Sequence, residues 1–160
     1  MNTSINFFKN NFKSTDNKIL ISHENDSYVE NFGKQWKDYR DVQIDSINNF
    51  KISEKFFNQM LFYNLEILKN KNILEIGCGA GRFTEYLVKY ANQCVSIDLS
   101  SAIFHNVSKN SSNLTLIKAD FNDLIPDKKF DIVFCRGVLQ HTPNPLISLK
   151  KIHTFVKKEG

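Results

Sequence analysis

The stretch that decides the fold is Asn72-Ile73-Leu74-Glu75-Ile76-Gly77-Cys78-Gly79-Ala80-Gly81-Arg82-Phe83. Its first half is a short apolar run that stops at Gly77, which is typical of a buried strand. Helical spacing of apolar residues returns over residues 82–91. The three alternating glycines therefore lie in a sharp turn from strand to helix, where missing Cβ atoms let a ligand approach the backbone. The free N–H groups and the positive dipole end of the helix would face that ligand.

Strand and helix patterns alternate on both sides of this turn. Apolar runs predict further strands over residues 94–97, 114–117 and 130–135, and weak helical spacing covers 101–109. Ser53 is predicted to cap an amphipathic helix that extends to Leu68, and Asn144 to cap a helix that begins at Pro145. This order predicts an α/β fold with a mostly parallel sheet and helices on both faces. In such folds ligands bind beyond the carboxyl ends of the strands.

The predicted organisation has three parts. Residues 1–27 are polar and predict a flexible tail, residues 28–71 an N-terminal helical or lid segment, and residues 72–160 the α/β domain. At 160 residues with 41% hydrophobic side chains, the chain is long enough for one real core.

Composition excludes several classes of partner. The net charge of +4 is mild and the lysines are dispersed, so no nucleic-acid partner is expected. No apolar run approaches the roughly 20 residues of a membrane span, and the N-terminus does not read as a signal peptide, which predicts a cytoplasmic protein. The three cysteines have no metal-ligand spacing, so they are expected to be reduced, with no metal bound.

The spacing of the glycines separates two classes of nucleotide-binding turn. A dinucleotide-binding G-x-G-x-x-G pattern that starts at Gly77 needs glycine at the position of Arg82. The stretch Glu75-x-Gly77-x-Gly79-x-Gly81 instead resembles the first motif of class I S-adenosylmethionine (SAM)-dependent methyltransferases. A turn without a ligand, and a dehydrogenase-type Rossmann enzyme, are the alternatives. The resemblance implies a Rossmann-like three-layer sandwich, with SAM as the cofactor and S-adenosylhomocysteine (SAH) as its product.

Acidic residues end the second and third predicted strands. Asp98 is placed to accept both ribose hydroxyls of an adenosine ligand, or alternatively to cap the next helix. The resemblance implies that Asp120 binds the adenine amino group, with a solvated loop acid as the alternative, and that Phe121 packs on the adenine. It also assigns these residues to cofactor binding: Glu75, Gly77, Cys78, Gly79, Gly81, Leu99 and Arg136.

The segment that follows the fourth predicted strand, residues 134–141, resembles the Leu-x-His segment of small-molecule methyltransferases. His141 is the candidate general base, and a hydrogen bond to the loop before Pro143 is the equal alternative. Arg136 either steers an acidic substrate or is simply solvated, which we favour. The segment lacks the Asn/Asp-Pro-Pro-aromatic tetrad of base N-methyltransferases. The predicted function is therefore methyl transfer to an O, N or C nucleophile of a small molecule.

Residues 31–46 resemble a Phe-Gly-x-Gln-Trp…Gln-x-Asp stretch of small-molecule members. There Trp36 or Tyr39 would close over the sulfonium, with ordinary packing as the alternative. The family's sheet has seven strands and four are predicted here, so the sheet is expected to be truncated after the fourth strand. An incomplete edge predicts self-association. A truncated, non-catalytic SAM-binding or partner module is the alternative function.

Overall fold

The computed structural model describes residues 2–3, 7–15, 19–22 and 39–159. The described strands are β1 (Asn2–Thr3), β2 (Phe12–Ser14), β3 (Leu20–Ile21), β4 (Asn72–Ile76), β5 (Gln93–Asp98), β6 (Leu114–Lys118) and β7 (Ile132–Cys135). The described α-helices are α1 (Arg40–Gln43), α2 (Asp45–Asn48), α3 (Ile52–Met60), α4 (Thr84–Tyr90) and α5 (Pro145–Phe155). Short 3-10 turns occur at Leu65–Leu68, Ser101–His105, Phe121–Asp123 and Leu139–His141.

One sheet of seven strands, in the order β1-β2-β3-β6-β5-β4-β7, organises the described residues. All four strands expected from the sequence form, as β4 to β7, and they are parallel to one another. β3 also pairs parallel with β6, whereas β1 and β2 are antiparallel additions. The prediction of a mostly parallel α/β sheet is confirmed. The carboxyl ends of β4 to β7 consequently meet along one rim of the sheet.

Helices cover both faces of the sheet because successive strand residues point to opposite sides. Leu74 of β4 packs in a buried cluster with Phe155 of α5. Its neighbour Ile73 packs in a second cluster with Leu87 of α4 and Phe57 of α3. The result is the three-layer arrangement that the alternating pattern predicted, with a continuous apolar sheet as its middle layer.

The N-terminal segment differs from the flexible tail expected over residues 1–27. Its described parts include β1, β2 and β3, and β3 pairs with the edge of β6. Phe8 and Phe12 are buried and pack with Phe155 in the cluster beneath α5. No period-2 pattern occurs in this part of the sequence, because the aromatic residues are isolated among polar ones. These residues are buried by contacts with distant parts of the sheet and with α5. The sequence did not predict β1 to β3, which extend the sheet beyond β6, whereas β7, the fourth predicted strand, is the last strand in chain order among the described residues.

The helix expected from Ser53 to Leu68 is shorter than predicted. α3 ends at Met60, Phe62 and Tyr63 follow with φ of 49° and 58°, and a 3-10 turn completes the segment. Ser53 lies inside the helix and does not cap it. The helix over residues 101–109 is likewise reduced to a 3-10 turn.

The structure also bears on the predicted helix cap at Asn144, on the two aromatic lid candidates and on membrane-spanning helices. The cap of α5 is confirmed, because Asn144 Oδ1 accepts a hydrogen bond from the Ile147 N–H at 3.1 Å and Pro145 follows the cap. Trp36 lies outside the described residues, and Tyr39 is exposed. Among the helices that the structure describes, none is both long and apolar enough to cross a membrane.

Replacing Phe57 by alanine tests the packing of α3 on the sheet. The Phe57 ring is fully buried and lies 5.4 Å from the Tyr86 ring and 5.9 Å from the Phe134 ring, centroid to centroid. We expect Phe57→Ala to lower the free energy of unfolding by about 3–5 kcal/mol in urea titrations. The matched control is Phe62→Ala, at a ring that is 91% exposed, with an expected change within about 0.5 kcal/mol. Equal losses in the two variants would contradict this packing.

Candidate functional site

The three glycines in the turn between β4 and α4, the glycine turn, have positive φ, a conformation that residues with a Cβ atom rarely adopt. Gly77, Gly79 and Gly81 have φ of 80°, 49° and 101°. A Cβ atom on Gly77 would lie 2.1 Å from Cγ2 of Val138, and one on Gly81 would lie 2.7 Å from Oδ1 of Asn106. The first glycine thus lets the segment after β7 approach the turn, and the third lets the segment after β5 do so.

The turn rests on the carboxyl end of β5. The N–H groups of Gly77 and Cys78 both donate to the Ile97 carbonyl, at 2.8 and 3.1 Å. The Gly79 N–H donates to Oδ2 of Asp98 at 2.6 Å. This charge-assisted bond fixes the middle of the turn against the acid that the sequence singled out.

Asp98 is more fully engaged than the sequence suggested. Its Oδ1 accepts hydrogen bonds from the Ser100 N–H at 2.8 Å and from the Ser100 hydroxyl at 2.6 Å. Burial raises the pKa of the Asp98 carboxyl, and the hydrogen bonds from Ser100 and Gly79 oppose that rise. Three bonds leave Oδ2 with room for a further donor among the roughly four acceptor positions of a carboxylate. The alternative that Asp98 caps the next helix is wrong, since Ser100 caps that turn by accepting from the Ala102 N–H.

Asp120 and Phe121 lie at the end of the neighbouring strand β6. Asp120 Oδ1 accepts from the backbone and side-chain nitrogens of Asn122, at 2.8 and 3.0 Å, so this acid caps a 3-10 turn and is not merely solvated. Phe121 is 6% exposed and packs in the buried cluster that also contains Ile97 and Leu124. Its ring is thus committed chiefly to the core.

Glu75 and Cys78 support the turn from beneath. Glu75 is 2% exposed, and its Oε2 accepts hydrogen bonds from the hydroxyls of Thr84 at 2.7 Å and Ser96 at 2.6 Å. Burial raises the pKa of the Glu75 carboxyl to about 7. Cys78 is buried beside Ile103, and burial raises the pKa of its thiol. The glycines and Asp98 meet at the rim, whereas these two side chains lie below it.

Residues after β7 complete the rim. Gly137 has φ of 71° and open space around it, and the backbone N–H of His141 donates to the Val138 carbonyl at 2.9 Å. His141 is exposed in the 3-10 turn, while Leu99, after β5, is partly buried. Arg136 is exposed, as favoured, and its guanidinium lies 5.3 Å from the centroid of the Phe83 ring.

A buried network that sequence reasoning missed ties the N-terminal helices to α4. Oδ2 of Asp45 accepts from the Glu54 N–H and the Tyr86 hydroxyl, each at 2.7 Å, and Oδ1 accepts from the Ser53 N–H at 3.2 Å. Burial alone would raise the pKa of Asp45, but these hydrogen bonds lower it overall. Asp45 therefore caps α3 in the role expected of Ser53. In the sequence, the only indication of a role for Asp45 was its position in the Gln-x-Asp part of the stretch over residues 31–46.

The Ser53 hydroxyl extends this network to the glycine turn. It donates to the Gln43 carbonyl at 2.8 Å and accepts from Nε of Arg82 at 2.9 Å. The residue after the third glycine is thus joined to α1 through one hydroxyl. Within the described ranges, no group of three or more His, Cys, Asp or Glu side chains is arranged to hold a metal ion.

Two glycine positions test the close approach of the strand ends. We expect Gly77→Ala to lower the free energy of unfolding by roughly 2–5 kcal/mol, because a left-handed conformation and a clash with Val138 both oppose the new methyl group. Gly137→Ala is the matched control, with positive φ but nothing within 4 Å of its added Cβ. Its loss should stay near 1–2 kcal/mol in the same denaturant titration. Equal losses would show that conformation alone, and not contact with Val138, requires glycine at 77.

Glu75→Gln tests the buried carboxyl. Because burial raises the folded-state pKa of Glu75 from 4.5 to about 7, the folded state holds its proton more tightly than the unfolded chain. The stability this contributes is fully present below pH 4.5 and is lost as pH rises through 7. Relative to Glu75→Gln, the native chain should therefore lose about 2–3 kcal/mol between these limits.

Urea unfolding of both chains at several pH values between 4.5 and 8 measures this difference. The control is Glu66→Gln, at an exposed carboxylate 2.8 Å from Lys69, whose difference from the native chain should vary by less than about 0.5 kcal/mol. A flat difference for Glu75→Gln would contradict a raised pKa at this position.

Known proteins share both the sequence pattern and the fold. A family model described as a methyltransferase domain matches residues 74–160, which is more than half of the chain. The ubiquinone biosynthesis O-methyltransferase of Coxiella burnetii (strain Dugway 5J108-111) is 31% identical over 99 residues, covering 58% of this chain. The chain spans only 42% of the length of that relative.

Solved structures agree at the level of the fold. The DhpI–SAH complex superposes with a TM-score of 0.63 at 19% identity, over 81% of this chain and 63% of that one. The N-methyltransferase NodS from Bradyrhizobium japonicum WM9, in complex with SAH, has a TM-score of 0.60 at 19% identity, over 80% and 69% of the two chains. The Rossmann-like fold is thereby confirmed. With the family model matched from Leu74 through the glycine turn to the end of the chain, this protein belongs to the methyltransferase-domain family, within the class I SAM-dependent methyltransferases.

Proposed function

We propose that the chain binds SAM at the glycine turn and transfers its methyl group to an O, N or C nucleophile of a small molecule. The observation that carries this proposal is the bond between the Gly79 N–H and Asp98 Oδ2, which joins the glycine turn to an acid on the adjacent strand. The SAH complexes of DhpI and NodS, which share this fold, support it. So does the O-methyltransferase named among the relatives.

The acidic strand ends suit the nucleoside part of such a ligand. Asp98 Oδ2 has room for one ribose hydroxyl, and rotation of the Ser100 hydroxyl would release Oδ1 for the second. Asp120 lies at the end of the next strand, where its carboxylate can accept from the adenine amino group. The backbone near Arg136 would receive the methionine amino group. Glu75 and Cys78 then act through the turn, since their side chains lie beneath it.

Methyl transfer requires mainly that the methyl donor and the acceptor be held in line with each other. SAM supplies a methyl group already activated on a sulfonium, which a nucleophile displaces in line. Holding the acceptor and the turn in fixed positions is the main contribution of the protein. Where the acceptor is a hydroxyl or amine, the exposed His141 imidazole is the group that we assign to take its proton.

A small-molecule acceptor is favoured over a nucleic-acid base. The segment after β7 reads Cys135-Arg136-Gly137-Val138 and lacks an Asn/Asp-Pro-Pro-aromatic tetrad. The net charge of +4 is spread along the chain and forms no contiguous basic tract.

Calorimetric titration with SAH tests the cofactor assignment. We expect saturable binding by the native chain and a loss of about 10- to 100-fold in affinity in Asp98→Asn, since hydrogen bonds to a charged acceptor are worth about 1.5–3 kcal/mol. The matched control is Asp123→Asn, at an exposed acid of the 3-10 turn, which should bind SAH like the native chain. Circular dichroism verifies the fold of each protein. No binding by a folded native chain, or equal binding by the two variants, would refute the assignment.

A further inference from the structure

Two arginine side chains share one aromatic ring beside the glycine turn. The guanidinium carbon of Arg82 lies 5.2 Å from the centroid of the Phe83 ring, and that of Arg136 lies 5.3 Å from it. Arg82 directly follows the third glycine, and Arg136 directly follows β7, which pairs with β4. Both charges are therefore held at the rim where the glycine turn lies.

These two charges are not neutralised by the part of the chain that the structure describes. No ion pair involves either guanidinium there. Arg82 uses its Nε on the Ser53 hydroxyl, which leaves both terminal nitrogens of its guanidinium for another acceptor. The carboxylate of Asp45 is nearby but already accepts from two backbone N–H groups and the Tyr86 hydroxyl. Burial and the like charge of Arg136 lower the pKa of Arg82, and the charge of Asp45 opposes this lowering only in part.

Two unpaired polar atoms occur on α1, whose last residue is linked to this network. Nε of Arg40 and Oε1 of Gln43 are buried and have no hydrogen-bond partner among the described residues. The two residues are three apart on α1 and so share a face, and the Gln43 backbone is joined to Arg82 through the Ser53 hydroxyl. Buried polar atoms in folded proteins almost always find partners. Because α1 is joined to Arg82 through the Ser53 hydroxyl, this unpaired donor and acceptor favour a polar ligand at this end of the protein.

The remaining wall of this site is aromatic. The Phe56 ring is 43% exposed, and the Arg136 guanidinium lies 5.4 Å from its centroid. Phe83 forms the deeper part and packs against Phe134 with ring centroids 5.6 Å apart. A ligand that fits these surfaces carries an oxyanion for the guanidiniums and an apolar or flat body for the rings.

We propose that Arg82 and Arg136 bind the anionic group of the methyl acceptor, so that the acceptor is a small molecule bearing a carboxylate or a phosphate. This inference rests on the proposed function. Guanidinium forks match the paired oxygens of both groups, and a fixed anion would orient the acceptor against the glycine turn. The Val138 side chain that contacts Gly77 lies two residues from Arg136, so the bound anion is adjacent to the turn.

Phenyl phosphate is a suitable probe, because it combines an oxyanion with a flat ring, and phenol is its neutral counterpart. Calorimetry would titrate each probe into the chain saturated with SAH, for the native protein and for Arg136→Gln. The control is Lys89→Gln, which removes a cation 4.7 Å from the Tyr86 ring on the same helix as that ring. We expect phenyl phosphate binding to weaken at least tenfold in Arg136→Gln and to change less than about twofold in Lys89→Gln. Phenol binding should be the same in all three proteins, and SAH affinity should be the same in the native chain and in Lys89→Gln.

The other outcomes overturn the inference. Phenyl phosphate that does not bind the SAH-loaded native chain, or that binds Arg136→Gln equally well, refutes an anion site. A fall in SAH affinity in Arg136→Gln, together with competition between SAH and phenyl phosphate, would assign the guanidiniums to the carboxylate of the cofactor instead. A folded native chain that binds no SAH would overturn the proposed function as well, whereas loss of phenyl phosphate binding alone overturns only the acceptor assignment.

Discussion

The bond between the Gly79 N–H and the Asp98 carboxylate, 2.6 Å long, is the contact on which the rest of the site depends. It holds the middle of a turn whose three glycines have positive φ, so it fixes a backbone that would otherwise sample many conformations. Once the turn is fixed, Gly77 and Gly81 admit Val138 and Asn106 from the neighbouring strand ends. The rim is thus assembled by the close approach of these side chains to a glycine backbone.

Beneath the rim, a series of hydrogen bonds between amide, hydroxyl and carboxyl groups connects the glycine turn to the core. Asn106 donates to the Thr84 hydroxyl, which donates to the buried Glu75 carboxyl, and the Ser96 hydroxyl donates to the same oxygen. A carboxyl that burial brings to a pKa of about 7 can be kept neutral at little cost, which makes it tolerable in an apolar layer. The first residue of α4 and the middle of β5 are joined through it.

Local signals in the sequence predicted the parts of the site that local rules govern. Apolar runs located β4 to β7, and alternating glycines located the turn, because each depends on residues close in sequence. The capping of α3 by Asp45 and the burial of Phe8 and Phe12 could not be found in this way. Both depend on contacts with distant segments, Asp45 with Tyr86 and the two phenylalanines with Phe155. Ser53 had the right residue type for a cap, yet tertiary contacts gave it a different role.

The order of the strands places acidic residues on one side of the glycine turn and a basic residue on the other, so the two sides of the site suit different ligand groups. Asp120 follows β6 and Asp98 ends β5 on one side of the glycine turn, while Arg136 follows β7 on the other. Carboxylates accept hydrogen bonds, which suits the hydroxyl and amino donors of a nucleoside, and guanidiniums donate them, which suits an oxyanion. A ligand pair laid across the turn would therefore meet an acidic half and a basic half. The turn lies between them, and it offers backbone groups and little bulk where two molecules must come into contact.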